Sequence, residues 1–201
     1  SIHPGQLKLF QAMDDPGVRR VLCLGAPGGG KSDGIVAVLV ALSLWWPGKT
    51  IGVVAPTNPR RKVVWDKILD LAGPRGWISD IKKGDNQIIW ANGAINHVVS
   101  AKRQSDKTGS PIAGHGWWKA IEDEQQDIDD ESLKEVDHRG RINGAGYQVF
   151  SSATNKNDHQ FQVRIQEYEA HKARRVVRFG GPENVFTDLA HWEAQRATLS
   201  A

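Results

Sequence analysis

Continuous apolar runs and helix-spaced apolar residues take turns along the chain. Residues 18–24 form a short apolar run that reads as a strand, and 32–46 read as a helix apolar nearly all round, stopped by Pro47-Gly48. Residues 50–55 are a second apolar strand, and 58–72 a helix with Val63, Val64, Ile68 and Leu71 at helical spacing. The segment 77–101 holds three short alternating runs, punctuated by Gly84-Asp85-Asn86 and Asn92-Gly93, the pattern of a β meander. Further strands are expected at 117–123, 147–152 and 174–179, with helices near 131–138, 158–173 and 187–199. This alternation predicts an α/β fold: a mostly parallel central sheet, helices on both faces, and sites at the C-terminal ends of the strands. No internal repeat, low-complexity tract or linker divides residues 1–201, so one domain is expected.

Composition narrows the class. Hydrophobic residues make up 39% and charged residues 24% of 201 positions, which excludes a membrane-embedded chain, a collagen and a highly charged disordered tail. The most apolar stretch, 35–46, is 12 residues long, too short to span a bilayer, and is expected to be a buried helix. The first residues carry no signal-peptide pattern, and a single cysteine, Cys23, cannot form an internal disulfide, so a cytosolic setting is expected. The net charge is only +3, but it is unevenly spread. Residues 122–137 hold nine acids and one base, which leaves 25 basic against 14 acidic residues elsewhere, a balance of +11. A polyanionic partner becomes plausible.

The strongest chemical signal is Gly25-Ala26-Pro27-Gly28-Gly29-Gly30-Lys31-Ser32, which fills every position of the G-x-x-x-x-G-K-[ST] phosphate loop between an expected strand and an expected helix. Small residues let successive backbone N–H groups converge on phosphate oxygens, and the positive end of the helix dipole favours the anion. Lys31 then reaches the β and γ phosphates, and Ser32 offers its hydroxyl to Mg²⁺. A hydrolase of this type also needs a carboxylate on a neighbouring strand for the metal and a second to orient water. Asp123 and Glu124, in Trp117-Trp118-Lys119-Ala120-Ile121-Glu122-Asp123-Glu124, are that pair, with Asp123 on the metal side and Glu124 as the catalytic base. A shift by one, with Glu122 and Asp123 as the pair, stays open, because Lys119 and Glu122 interrupt what should be an apolar buried strand.

Taken together these motifs resemble the ATPase domain of the large terminase subunits of tailed bacteriophages. Pro4-Gly5-Gln6 resembles the family's adenine-contacting glutamine segment, and Asp123-Glu124-Gln125 its Walker B acid and catalytic glutamate. Ser152-Ala153-Thr154 is similar to the motif that couples γ-phosphate state to domain movement, and Glu183-Asn184-Val185-Phe186 to the segment leading out of the ATPase core. The resemblance implies an ASCE-type P-loop NTPase with a β-meander insertion. Its core would span about residues 1–180, a lid or linker would start near 181–201, and no nuclease domain would be included. It implies Mg²⁺-dependent ATP hydrolysis that drives double-stranded DNA into a procapsid, in the cytoplasm of an infected host cell. Portal protein and small terminase subunit would be partners, the motor would be a homo-oligomeric ring, and no membrane would be involved. Gln6, residues 25–32 and Thr154 would contact nucleotide.

The family's arginine positions are not filled: Ala26 and Pro27 stand where many members carry an arginine in the phosphate loop, and Ala113-Gly114 where others carry one ahead of the Walker B strand. The resemblance therefore implies a finger supplied by a neighbouring subunit, with Arg139 first, then Arg141 and Arg103. For DNA phosphates the candidates are Arg60-Arg61-Lys62, Lys82-Lys83 and Arg174-Arg175, while most of the eight tryptophans are expected in the core. A helicase-type ATPase, a P-loop small-molecule kinase and a nucleotide-gated binding protein remain the other readings.

Overall fold

The computed structural model describes residues 4–26, 30–102, 112, 114, 116–141, 147–154 and 159–179, with the side chains of residues 4–6, 141 and 179 outside that description. The expected helix at 187–199 and the segment 183–186 lie outside the described residues.

Chain order is α1 (Pro4–Met13), β1 (Arg20–Gly25), α2 (Lys31–Trp45), β2 (Thr50–Ala55), α3 (Asn58–Ala72), β3 (Ile78–Lys82), β4 (Gln87–Trp90), β5 (Ile95–Ser100), β6 (Lys119–Glu122), α4 (Asp130–Arg141), β7 (Val149–Thr154), α5 (His159–Ala170) and β8 (Arg174–Phe179). All eight strands form one sheet in the order β3-β4-β5-β2-β6-β7-β1-β8. Strands β5, β2, β6, β7, β1 and β8 run parallel, and only the β3–β4–β5 edge is antiparallel. The meander is continuous with the main sheet, because its third strand pairs along its length with β2. Helix α1 is the element the hydrophobic pattern leaves unassigned. It opens at Pro4, where a proline suits a first helical turn, and its Leu9 and Met13 are buried one helical turn apart.

Strand alternation divides the core into two layers. Val21, Cys23, Val53, Ile121 and Phe150 face Leu9, Ile35, Leu39 and Ile68 of α1–α3. Leu22, Leu24, Ala153, Ala120 and Val149 face Leu133 and Val136 of α4 and Phe161, Ile165 and Tyr168 of α5. Helix α2 is apolar on every side because it is covered by the sheet and by both neighbouring helices. Helix α3 begins at Thr57, whose hydroxyl accepts the Arg60 N–H, with Pro59 in its first turn. Gly52 lies flat under Trp117, and a Cβ there would overlap the indole ring. Among the described residues no helix is long and apolar enough to cross a membrane.

The two charges that interrupt β6 are both buried and partnered. Lys119 donates to the Gln148 side-chain carbonyl, and its ammonium lies 4.6 Å from the Trp118 ring centroid and 6.0 Å from that of Trp46. Burial pushes this ammonium down to about 8, with Arg19 adding to the shift and Asp14 opposing it. The folded protein therefore releases this proton near pH 8, whereas the unfolded chain holds it to about 10.4. Between those values the unfolded state binds more protons, so through this group stability rises with pH. Wild type is expected to gain stability relative to Lys119→Met from about pH 8 to about pH 10, read by urea denaturation. A stability difference that does not change with pH would contradict this.

Candidate functional site

The C-terminal ends of β1, β6 and β7 are neighbours in the sheet, so the residues that end these strands lie side by side. Gly25 ends β1, and the chain passes through Ala26 to Gly30, which sits at φ 76° as the residue before α2, a left-handed conformation that suits glycine. Its carbonyl accepts the Gly34 N–H at 2.9 Å and starts the helix. Lys31 opens α2 and curls back so that its ammonium donates to the Ala26 carbonyl at 2.6 Å. Burial lowers the Lys31 pKa, while Glu124, Asp123 and Cys23 push it the other way. The cation thus sits between the loop and the two acids after β6. Pro27, Gly28 and Gly29 lie outside the described residues, as does the Gln6 side chain.

Asp123 continues the alternation of β6 on the same side as Ile121, toward α2. The Ser32 hydroxyl donates to its Oδ1 at 2.9 Å and the Ser152 hydroxyl to the same oxygen at 2.8 Å. Ser152 Oγ in turn accepts the Glu124 N–H at 3.1 Å. The Glu124 carboxylate receives the Thr154 hydroxyl at 3.1 Å and the Gln126 amide at 2.6 Å, both on Oε2. Phosphate loop, acid pair and Ser-Ala-Thr segment are thus joined by one chain of hydrogen bonds from Ser32 to Thr154. Ser32 and Asp123 present hard oxygen donors side by side, the donor type and pairing that suit Mg²⁺.

Glu122, the other acid left open by the sequence, lies on the far face of the sheet. It accepts from Arg20 at 3.2 Å and from Ser151 at 2.6 Å, on the face opposite Asp123. This is why a buried strand can carry it.

Among the described residues, Arg60 is the arginine brought to the acid pair within this chain. From the first turn of α3 its guanidinium approaches Glu124 Oε1 at 3.7 Å, with its side chain 51% exposed. The sequence places Arg60 only in a basic run, because its approach depends on β2 lying beside β6, which no local pattern reveals. Arg139 pairs instead with Glu135 one turn back on α4. The neighbouring Val136 carbonyl accepts the Tyr147 hydroxyl just ahead of β7, so Arg139 sits toward the strand N-terminal edge, away from the loop of its own chain. Arg103 and the Arg141 side chain lie outside the described residues.

A parallel sheet with a phosphate loop between β1 and α2, and acids at the end of a non-adjacent strand, defines a P-loop NTPase fold. Within that class it is the fold of the ATPase domain of phage large terminases. The large terminase of a thermophilic bacteriophage superimposes with a TM-score of 0.78 and 16% identity, over 98% of this chain and 50% of that one. The HK97 bacteriophage large terminase gives 0.73 and 15%, over 96% of this chain and 42% of that one. The large terminase ATPase domain of Thermus phage P74-26 gives 0.69 and 14%, over 98% and 87%. The chain therefore spans about half the length of the first two of these proteins. The first of them has been solved with ATP-γ-S and with ADP. No family model and no curated protein matches the sequence.

Proposed function

We propose that this chain is a Mg²⁺-dependent ATPase that powers translocation of double-stranded viral DNA into a procapsid. The observation that carries the reading is the continuous hydrogen-bonded path Ser32–Asp123–Ser152–Glu124–Thr154, set at the end of a phosphate loop in a large-terminase ATPase fold. Gly25 to Ser32 would cradle the phosphates, Lys31 would neutralise charge on the β and γ groups, and Ser32 with Asp123 would hold the metal. When bound, Mg²⁺ would supply neutralising charge to the phosphates. Glu124 accepts a proton from the attacking water, and its carboxylate is oriented for this by Thr154 and Gln126. Thr154, tied to Glu124, would sense the γ-phosphate state through that carboxylate. On this reading portal protein and small terminase subunit are partners, and a ring of copies supplies a trans arginine such as Arg139.

Two of the three basic clusters support a duplex as substrate. Arg61 donates to the Asn86 side chain at the β3–β4 turn, which joins Arg60-Arg61-Lys62 and Lys82-Lys83 along one edge beside the site. Arg174-Arg175 lie at the opposite end, where Arg175 pairs with Asp15 at 3.8 Å and Arg174 stacks on Tyr168. Phosphate release, measured with and without duplex DNA, tests the reading, and absence of Mg·ATP hydrolysis by an assembled sample would sink it. Duplex binding is expected to be independent of sequence, with affinity falling by about 0.9 log unit per log unit of salt for each phosphate contacted. Lys82→Ala/Lys83→Ala is expected to lower that slope by about 2, read by fluorescence anisotropy. An unchanged slope, or a preference for one duplex sequence, contradicts it.

A further inference from the structure

Glu122 and Glu124 are two residues apart, so an uninterrupted strand would place them on one face. They lie on opposite faces because Glu124 takes φ 50°, ψ 54°, one of two positive-φ non-glycine residues among those described. That left-handed turn sends the Glu124 carboxylate to the Thr154 side and returns Gln125 to the face of Glu122. A glutamate does not adopt this conformation without something to hold it. Gln125 is 1% exposed, and its amide nitrogen, with two hydrogens to donate, lies 2.8 Å from Glu122 Oε2, 3.0 Å from Tyr168 Oη and 3.2 Å from Ser151 Oγ. The amide cannot be turned over, because its oxygen would then face the Glu122 carboxylate. Arg164 of α5 approaches the Gln125 carbonyl at 3.4 Å and also pairs with Asp130 of α4.

We propose that Gln125 is the positioning residue of Glu124: its buried amide, held on the far face by Glu122, Ser151 and Tyr168, fixes the left-handed backbone that delivers the Glu124 carboxylate to the phosphate side. This rests on Glu124 being the base of the proposed ATPase. Gln125 lies on the face of the sheet opposite the Ser32–Asp123 contact, so its action on hydrolysis would pass through Glu124. Because Tyr168 and Arg164 belong to α5 and Asp130 to α4, the placement of the base depends on how these two helices sit against the sheet.

The test is a double-mutant cycle on hydrolysis with nucleotide affinity read in parallel. Gln125→Met keeps the volume and removes the amide. It is expected to lower kcat at least ~10-fold while a fluorescent ADP analogue binds within about 2-fold of wild type. In a Glu124→Gln background the same substitution is expected to change kcat less than about 2-fold, because there is no longer a base to place. Should Gln125→Met fail to fold, Tyr168→Phe removes one acceptor of the amide and keeps the ring, and is expected to show the same non-additivity with Glu124→Gln. An unchanged kcat, or a loss that persists in the Glu124→Gln background, overturns the positioning role alone. Near-normal hydrolysis by Glu124→Gln by itself overturns the base assignment, and the positioning role with it.

Discussion

Lys31→Ala is expected to abolish phosphate release by weakening nucleotide binding, whereas Glu124→Gln is expected to bind nucleotide as wild type does and to hydrolyse it at least ~100-fold more slowly. The two residues act at different points of the same path. Lys31 reaches from the loop toward the acids, and on the proposed reading it would supply charge to the phosphates in the ground state as well as in the transition state. The Glu124 carboxylate is held from the other side, by Thr154, Gln126 and Arg60. The isosteric amide keeps oxygen and shape but cannot take a proton, so binding survives and turnover does not. Equilibrium binding of a fluorescent nucleotide and steady-state phosphate release on both variants separate the outcomes. Loss of binding in Glu124→Gln, or turnover near wild type, would contradict the assignment. Glu122 could not replace it, because Arg20, Ser151 and Gln125 occupy its carboxylate on the other side of the sheet.

What was legible in the sequence is what depends on a few adjacent residues. The phosphate loop, the alternation of strands with helices and the meander could be read because glycine, lysine and apolar spacing act locally. Strand order could not. That the meander widens the main sheet, and that Arg60 faces Glu124, both follow from β2 lying between β5 and β6, a long-range pairing without a local signature. The charges of β6 look like defects in a buried strand until their partners are found 102 residues upstream for Glu122 and 29 downstream for Lys119. The acid pair was visible as Asp123-Glu124, but the reason both reach one face is the left-handed turn at Glu124, which a glutamate does not advertise. Helix α1 carried a readable spacing in Leu9, Phe10 and Met13, overshadowed by the loop motif that follows it.

Arg20→Met and Glu122→Met are each expected to destabilise the protein by about 3–5 kcal/mol, and the double variant by clearly less than their sum. Arg20 stands at the start of β1, with its guanidinium between Glu122 at 3.2 Å, Asp137 at 2.7 Å and the Tyr168 hydroxyl at 3.0 Å. Burial opposes its charge, yet Glu122, Tyr168 and Asp137 more than compensate and hold its pKa well above the ordinary value. The guanidinium is therefore charged across the working pH range. Among the described residues, removing the arginine leaves the fully buried Glu122 with Ser151 and Gln125 as donors, and removing the glutamate leaves a buried cation facing the half-exposed Asp137. Either single variant strands a charge, and desolvation is what makes that expensive. The double variant removes both buried charges and fills the same space with apolar atoms, so the coupling between the two positions is expected to be about 1–3 kcal/mol. Urea denaturation of the four proteins measures it, with the slope checked for constancy. Additivity within about 0.5 kcal/mol would mean that Arg20 and Glu122 are solvated independently. The pair would then not act as a coupled brace between β1 and β6.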